Sequence, residues 1–423
     1  MSKLSRMRLA SLVSLVLLLQ TIPTGARAHV TEARQSFVDD SRADRARQSP
    51  TPIVVPQLPP ATPTPAPPTV TTQTTTPQTT SPQTTTQQPP APSSTPSDVL
   101  EDEDDVVRVE SNLVVVPTSV VDAAGQPVQG LQAADFQLEE EGKRQEVAQV
   151  GVAEQVPLDI ALVFDVSSST VKNFDFMKQT AAGFLREVMK PSDRAAVFTI
   201  GERASLVQTL ANADDAARKL STIPAADKST GTAFYDTVTA AAKYLRENAS
   251  GRNRRVILVI TDGEDNFSND VRDATVAELD KVNKAQGERT AAQKLETVGD
   301  RTAGVHRRAL QNVMRAVQQS DAVFYSINPS GPGVRLNVIS QRAEFGMSQL
   351  SEATGGSSFL PASANELPAV FQRIAAELRA QYLLQYYSST DAPPGKFLRI
   401  SVRTPARPEL RVRARQGYYV PKQ

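Results

Sequence analysis

The chain has 423 residues, enough at about 150 per domain for two or three folded units, and its 46 Lys and Arg balance 46 Asp and Glu. Zero net charge excludes a chain-wide basic field for nucleic acid or an acidic membrane surface. With no cysteine there is no disulfide framework, thiolate zinc site or thiol nucleophile, and His29 and His306 alone cannot furnish a histidine-rich site.

Residues 1–28 read as a secretory signal: Lys3, Arg6 and Arg8 give a basic start, Leu9 to Leu19 an apolar run, and Ala26-Arg27-Ala28 an A-x-A cleavage site. That run is shorter than the roughly 20 residues a bilayer span needs; an uncleaved anchor is the alternative. No later stretch is apolar enough to cross a membrane. The mature chain is therefore expected to be exported, to the periplasm, the cell surface or the medium.

Residues 29–105 read as a linker. Pro50 to Ser97 contains no charge and 15 of the 30 prolines, with Thr and Gln between them, so too little apolar surface is present to offset backbone entropy. Proline makes such a segment a semi-stiff spacer. The acidic run Glu101 to Asp105 closes it.

From Val106 to 155 the pattern is β: Val107 to Val109, Leu113 to Val116, Thr118 to Val121, Phe136 to Leu138 and Gln145 to Val152, with turns at Gly125 and Gly142. These strands are too few for an independent core. Residues 156–381 change to apolar strands alternating with amphipathic helices. Leu158 to Phe164, Ala195 to Ile200, Val256 to Ile260 and Ala322 to Ile327 are strands. Phe174, Met177, Ala181, Leu185 and Val188 mark the first helix.

A helix from Glu366 to Gln381 is expected to be capped by Ser363 or Asn365. Between about 269 and 310 a helical insertion is expected before the crossover helix. Fully apolar strands separated by helices predict a doubly wound, mostly parallel α/β domain. Residues 382–423 return to period two, and with 106–155 would complete a β-sandwich into which the α/β domain is inserted. On its last strands Arg399, Arg403, Arg411, Arg413 and Arg415 form a basic face: a solvated edge, or a surface for anionic polysaccharide or the acidic linker. Tyr382, Tyr386, Tyr387, Tyr418 and Tyr419 read as sandwich packing.

The chemistry concentrates at three loop tips. Asp165-Val166-Ser167-Ser168-Ser169 follows the first apolar strand as D-x-S-x-S, Thr232 lies on the loop opening a helix, and Asp262 follows the strand Val256 to Ile260. In open parallel sheets ligands bind beyond the carboxyl ends of the strands. Three hydroxyls and two carboxylates there form an all-oxygen set suited to Mg²⁺, Mn²⁺ or Ca²⁺. The alternative is that the Ser and Asp residues merely cap helices after the strands. Glu264 and Asp265 could hold a second Ca²⁺ or be solvated loop acids.

Asp165, Ser167, Ser169, Thr232 and Asp262 together resemble the metal-ion-dependent adhesion site of von Willebrand factor type A domains. With the flanking β-segments and Gly263-Glu264-Asp265-Asn266, the chain is similar to the secreted VWFA-related proteins of acidobacteria. Ser168 departs from the glycine that many members carry, which would tighten the loop.

The resemblance implies that Ser167, Ser169 and Thr232 bind Mg²⁺ or Mn²⁺ directly, that Asp165 and Asp262 act largely through waters, and that a partner protein's Asp or Glu completes the ion. It implies a secreted binding module rather than an enzyme. Two alternatives stay open: a divalent-dependent hydrolase of phosphatase type, which lacks a local His or Cys base and a flanking Lys or Arg, and a scaffold whose metal is structural. Because the linker buries nothing in this reading, removing residues 29–100 should leave the melting temperature of the remainder unchanged. A drop of several degrees in the truncated chain would reveal hidden packing.

Overall fold

A computed structural model describes residues 113–167, 174–225, 231–285, 290–331 and 338–421; the signal, the linker, the expected strand at 107–109 and Ser169 lie outside the described residues. The first β-segment gives β1 (Leu113–Val121), β2 (Gln137–Glu140), β3 (Lys143–Gln145) and β4 (Gln149–Val152). Then follow β5 (Leu158–Asp165), α1 (Phe174–Val188), β6 (Arg194–Ile200), β7 (Ser205–Ala211), α2 (Ala213–Ser221) and α3 (Phe234–Asn248). After them come β8 (Arg254–Ile260), α4 (Asn269–Lys284), α5 (Ala291–Gln319), β9 (Ala322–Ile327), α6 (Val338–Thr354), β10 (Ser358–Phe359) and α7 (Leu367–Ala380). The last β-segment is β11 (Tyr382–Tyr387), β12 (Phe397–Arg403), β13 (Arg411–Ala414) and β14 (Gly417–Tyr419).

The central sheet has the order β10-β9-β8-β5-β6-β7, parallel except for β7. β5 is buried along its whole length because alternate residues feed two cores. Ile160, Leu162 and Phe164 pack with α1, α2 and α7 on one face; Ala161 and Val163 pack with α3 and α5 on the other. Each fully buried side chain of this size contributes about 1.5–3 kcal/mol. The sequence pattern does not announce β7: its residues are half exposed, and its pairing with β6 carries register shifts. It is an edge strand without an apolar run.

Across the stretch expected as a helical insertion before the crossover helix lie α4 and the first part of α5, and α5 begins at a capping box between Thr290 and Gln293. Its apolar seam, Val298, Ala309, Val313 and Val317, carries it unbroken through 310. One further expectation is corrected. Neither Ser363 nor Asn365 caps α7; a 3₁₀ turn at Ala364–Glu366 precedes it without a side-chain cap. Pro368 in the first turn removes one of the amides a cap would serve.

The terminal β-segments form two four-stranded antiparallel sheets, β13-β1-β11-β4 and β14-β12-β2-β3. Val116, Leu138, Leu384, Tyr386, Leu398 and Tyr418 share their core, whereas Tyr387 is 55% exposed and packs no interior. Glu140 is fully buried among these apolar residues and accepts from the hydroxyls of Tyr386 (2.6 Å), Ser388 (2.7 Å) and Tyr418 (3.0 Å). Burial opposes its charge, but hydrogen bonds from Thr390, Tyr386, Ser388 and Tyr418 outweigh it and hold the carboxyl below its ordinary value.

The basic face is not a simple solvated row. Arg399 and Arg403 pair with Glu141 and Glu139 across the sheet. Arg413 and Arg415 instead reach the α/β domain, at the buried Glu377 of α7 (2.9 Å) and at Asp321 (2.6 Å).

Glu140→Ala leaves three hydroxyls without their acceptor and is expected to cost about 3 kcal/mol in urea unfolding; Tyr418→Phe should cost about 1 kcal/mol. A carboxyl depressed on folding stabilises above its unfolded value of 4.5 and loses that contribution as pH falls. Glu140→Gln should therefore flatten the acid limb of the stability profile.

Candidate metal centre

Parallel pairing of β5 with β8 brings Phe164 opposite Ile260, so the residues that follow, Asp165 and Thr261-Asp262, emerge side by side at the carboxyl edge of the sheet. Asp165 is fully buried; Ser167, Thr232 and Asp262 are 3%, 6% and 9% exposed, which makes this a walled recess and not a solvated tip. One Asp165 oxygen accepts from the Ser167 amide at 2.7 Å and the other from the Thr261 hydroxyl at 2.5 Å. The same Thr261 oxygen accepts from the Gly263 amide at 3.0 Å, which fixes the turn into the Asp262 loop. Gly263 takes φ +75, and a Cβ there would lie 2.8 Å from the Met347 side chain.

Burial, reinforced by the nearby charge of Asp262, pushes the Asp165 carboxyl well above the usual range. Two carboxylates held close in a dry recess with hydroxyl donors are a site that a hard cation fits, since its charge removes the repulsion. Among the described residues no group of three or more His, Cys, Asp or Glu is placed to hold a metal, so the set on offer mixes carboxylates with hydroxyls.

Thr232 joins the recess through backbone bonds to both neighbouring loops. Its carbonyl accepts from the amides of Asn266 (3.1 Å) and Phe267 (3.0 Å), its own N–H donates to Asn266 Oδ1 (2.8 Å), and the next amide, of Ala233, donates to Gly201 at the end of β6. Thr232 does not cap α3: the cap position is Ala233, with no side-chain cap, and Asp265 serves the helix start by accepting from the Tyr235 amide at 2.8 Å.

Asp265 and Glu264 are accordingly not solvated acids. Asp265 is 6% exposed and also accepts from the Ser268 amide and hydroxyl; burial pushes it up to about 6. Glu264 accepts from Ser340 on α6 at 2.6 Å, and burial raises it too. Sequence reading missed Thr261, Asp265 as a cap, and Asn266. Thr261, directly after an apolar strand, carried a signal; Asp265 carried none, because it caps a helix 30 residues earlier in the chain.

Residues 159–325 match the von Willebrand factor type A (VWA) domain. The matched span takes in Asp165, Ser167, Thr232 and Asp262, and the six-stranded, mostly parallel sheet with helices on both faces is the VWA fold. Solved structures resemble the chain more distantly. Proximal thread matrix protein 1 from the mussel byssus, in a form with a zinc-occupied MIDAS motif, has 15% identity and TM-score 0.35, covering 57% of this chain and 50% of that one. The PilB minor pilin from Streptococcus sanguinis has 11% identity and TM-score 0.38, with coverages of 54% and 62%. A von Willebrand factor type A protein from Catenulispora acidiphila has 14% identity and TM-score 0.35, with coverages of 64% and 51%. The chain thus spans about half the length of the mussel and Catenulispora proteins, and likenesses at these TM-scores carry no argument about function. Comparison with curated proteins finds no match.

Gly231 packs against Phe267 so closely that a Cβ would lie 2.2 Å from the ring. Gly231→Ala must displace that ring or the Thr232 loop of the VWA domain. It is expected to cost about 1–3 kcal/mol in metal-free denaturant unfolding.

Proposed function

We propose that this chain is an exported, metal-ion-dependent binding module of the VWFA-related secreted type, which captures an Asp or Glu of a partner protein. VWA domains are in general interaction modules. The observation that carries the reading is the buried pair Asp165 and Asp262, set at the carboxyl ends of adjacent parallel strands beside Thr232 and Ser167.

In this reading Ser167, Ser169 and Thr232 would hold Mg²⁺ or Mn²⁺ through neutral oxygens, and Asp165 and Asp262 would act chiefly through bound waters. A divalent ion with few direct carboxylates retains most of its charge and so supplies a Lewis-acidic position for an anionic oxygen. The protein's own part is rigidity. Thr261 and the Ser167 amide hold Asp165 in one rotamer, and the buried walls weaken competition from water. A partner amide, neutral and a poorer ligand for a hard cation, is discriminated against on the same grounds.

Export is supported by the basic, apolar and A-x-A pattern of residues 1–28, and among the described residues no helix is long and apolar enough to cross a membrane. The domain division we propose is residues 106–155 and 382–423 as one β-unit, with 156–381 as the VWA domain between them. The pairing of β1 with β11 and β13 supports it.

Mg²⁺ or Mn²⁺ at 100 times its dissociation constant should stabilise the full chain by about 2.7 kcal/mol. Asp165→Ala should abolish that gain and Thr232→Ala reduce it, with secondary structure by circular dichroism unchanged in both. Calorimetry that detects no Mg²⁺ or Mn²⁺ binding at millimolar levels to folded protein would overturn the proposal.

A further inference from the structure

We infer that Asn266 is a positioning residue of this centre, fixing the Thr232 hydroxyl relative to Asp262; the inference rests on the metal reading proposed above. The argument is geometric. The Thr232 N–H belongs to the peptide before its Cα and the Thr232 carbonyl to the peptide after it. Asn266 Oδ1 accepts the first at 2.8 Å, and the Asn266 and Phe267 amides donate to the second at 3.1 and 3.0 Å. With both peptide planes pinned, φ and ψ of Thr232 are set, and the direction of its Cα–Cβ bond follows. Only one side-chain torsion then separates the backbone from the hydroxyl oxygen.

The side-chain arm of this bracket matters most on the N-terminal side. The residue there is Gly231, which has no conformational preference of its own to hold the peptide in place. The C-terminal side has independent anchors in the Ala233 amide, bonded to Gly201, and in α3 itself. Asn266 lies four residues after Asp262 on the same loop, so one short segment carries both an acidic ligand and the clamp on the hydroxyl ligand. The Asp265 cap on α3 and the bond from the Asp236 amide to Ser268 Oγ lock that segment to the helix Thr232 precedes.

Asn266 is itself exposed, so its side chain is not part of the core and can be replaced without opening a cavity. Because the group it serves is an N–H, only an acceptor can substitute for it: Asp can, Ala cannot. The two backbone donors of the bracket survive any replacement at 266, and what Asn266→Ala removes is the bond that stops the Gly231–Thr232 peptide from rotating.

The test uses the full chain and three probes: Mg²⁺ titration by calorimetry, Tb³⁺ luminescence lifetimes in H₂O and D₂O to count coordinated waters, and hydrogen exchange of the Thr232 amide. Asn266→Ala is expected to weaken Mg²⁺ about tenfold, the range found for groups that orient a metal ligand. It should also speed exchange at the Thr232 amide and add a coordinated water where the Thr232 oxygen had been. Its metal-free melting temperature should fall by no more than a few degrees, about the cost of one lost hydrogen bond. Asn266→Asp should restore the Thr232 amide protection and the wild-type water count.

Wild-type affinity and water count in Asn266→Ala overturn the inference and leave the metal reading standing. A lowered melting temperature with unchanged affinity also overturns it, because the residue is then structural only. Failure of the wild-type chain to bind either ion overturns both.

Discussion

The close placement of two buried carboxyls, Asp165 and Asp262, is the constraint around which the carboxyl edge of the sheet is arranged. Both acids are placed by the sheet: β5 and β8 are the two innermost parallel strands, their register is fixed by apolar residues on two faces, β5 ends in Asp165, and Asp262 lies two residues past the end of β8. Taking a carboxylate into a dry recess costs several kcal/mol, and doing so beside a like charge costs more. The core must be stable enough to hold both acids there, and the fully apolar strand interiors supply that stability. Function in this reading draws on the same placement, since whatever cation enters lowers that cost.

Around that pair the chain spends most of its polar groups on geometry. Thr261 orients Asp165 and turns the backbone into the Asp262 loop. Asp265 and Ser268 tie the loop to the start of α3, and Asn266 and Phe267 hold Thr232. Glu264 reaches across to Ser340 on α6. The end of β5, the loop after β8 and the α3 entry are thereby tied to one another by hydrogen bonds. Preorganisation of this kind lowers the ordering cost of binding.

Most of the alternating strand–helix pattern was legible because each apolar strand is buried on both faces and helices such as α1 show a seam at three- and four-residue spacing; α6 was not read from the sequence. Asp165, Ser167 and Asp262 were legible for a different reason, since they lie at or just past the ends of strands that the pattern marks, and Thr232 because it stands just before a helix. β7 was not, because an edge strand with one half-exposed face carries no continuous apolar run. The Asp265 cap was not, because its partner Tyr235 is remote in sequence. Glu140 was invisible in the sequence for a related reason: in the run from Gln137 to Glu140 it looks like a surface acid, and only the convergence of Tyr386, Ser388 and Tyr418 reveals it as buried. Long-range polar contacts have no local signature, and this protein uses them both in its recess and in its β-unit.

The route by which the chain enters and leaves the VWA domain has a mechanical consequence. β4 leads into β5, α7 leads out to β11, and β4 and β11 are hydrogen-bonded to each other with Val152 opposite Tyr382. Entry and exit thus lie side by side at the end of the sheet away from Asp165. A tensile force applied at the recess and resisted through the β-unit divides between two parallel connections. Their antiparallel anchorage, with the added grip of Arg413 on Glu377, is loaded along its hydrogen-bond ladder as a shared hinge. A domain strung in series between its neighbours would carry that whole load through a single strand; this one hangs from a double strap.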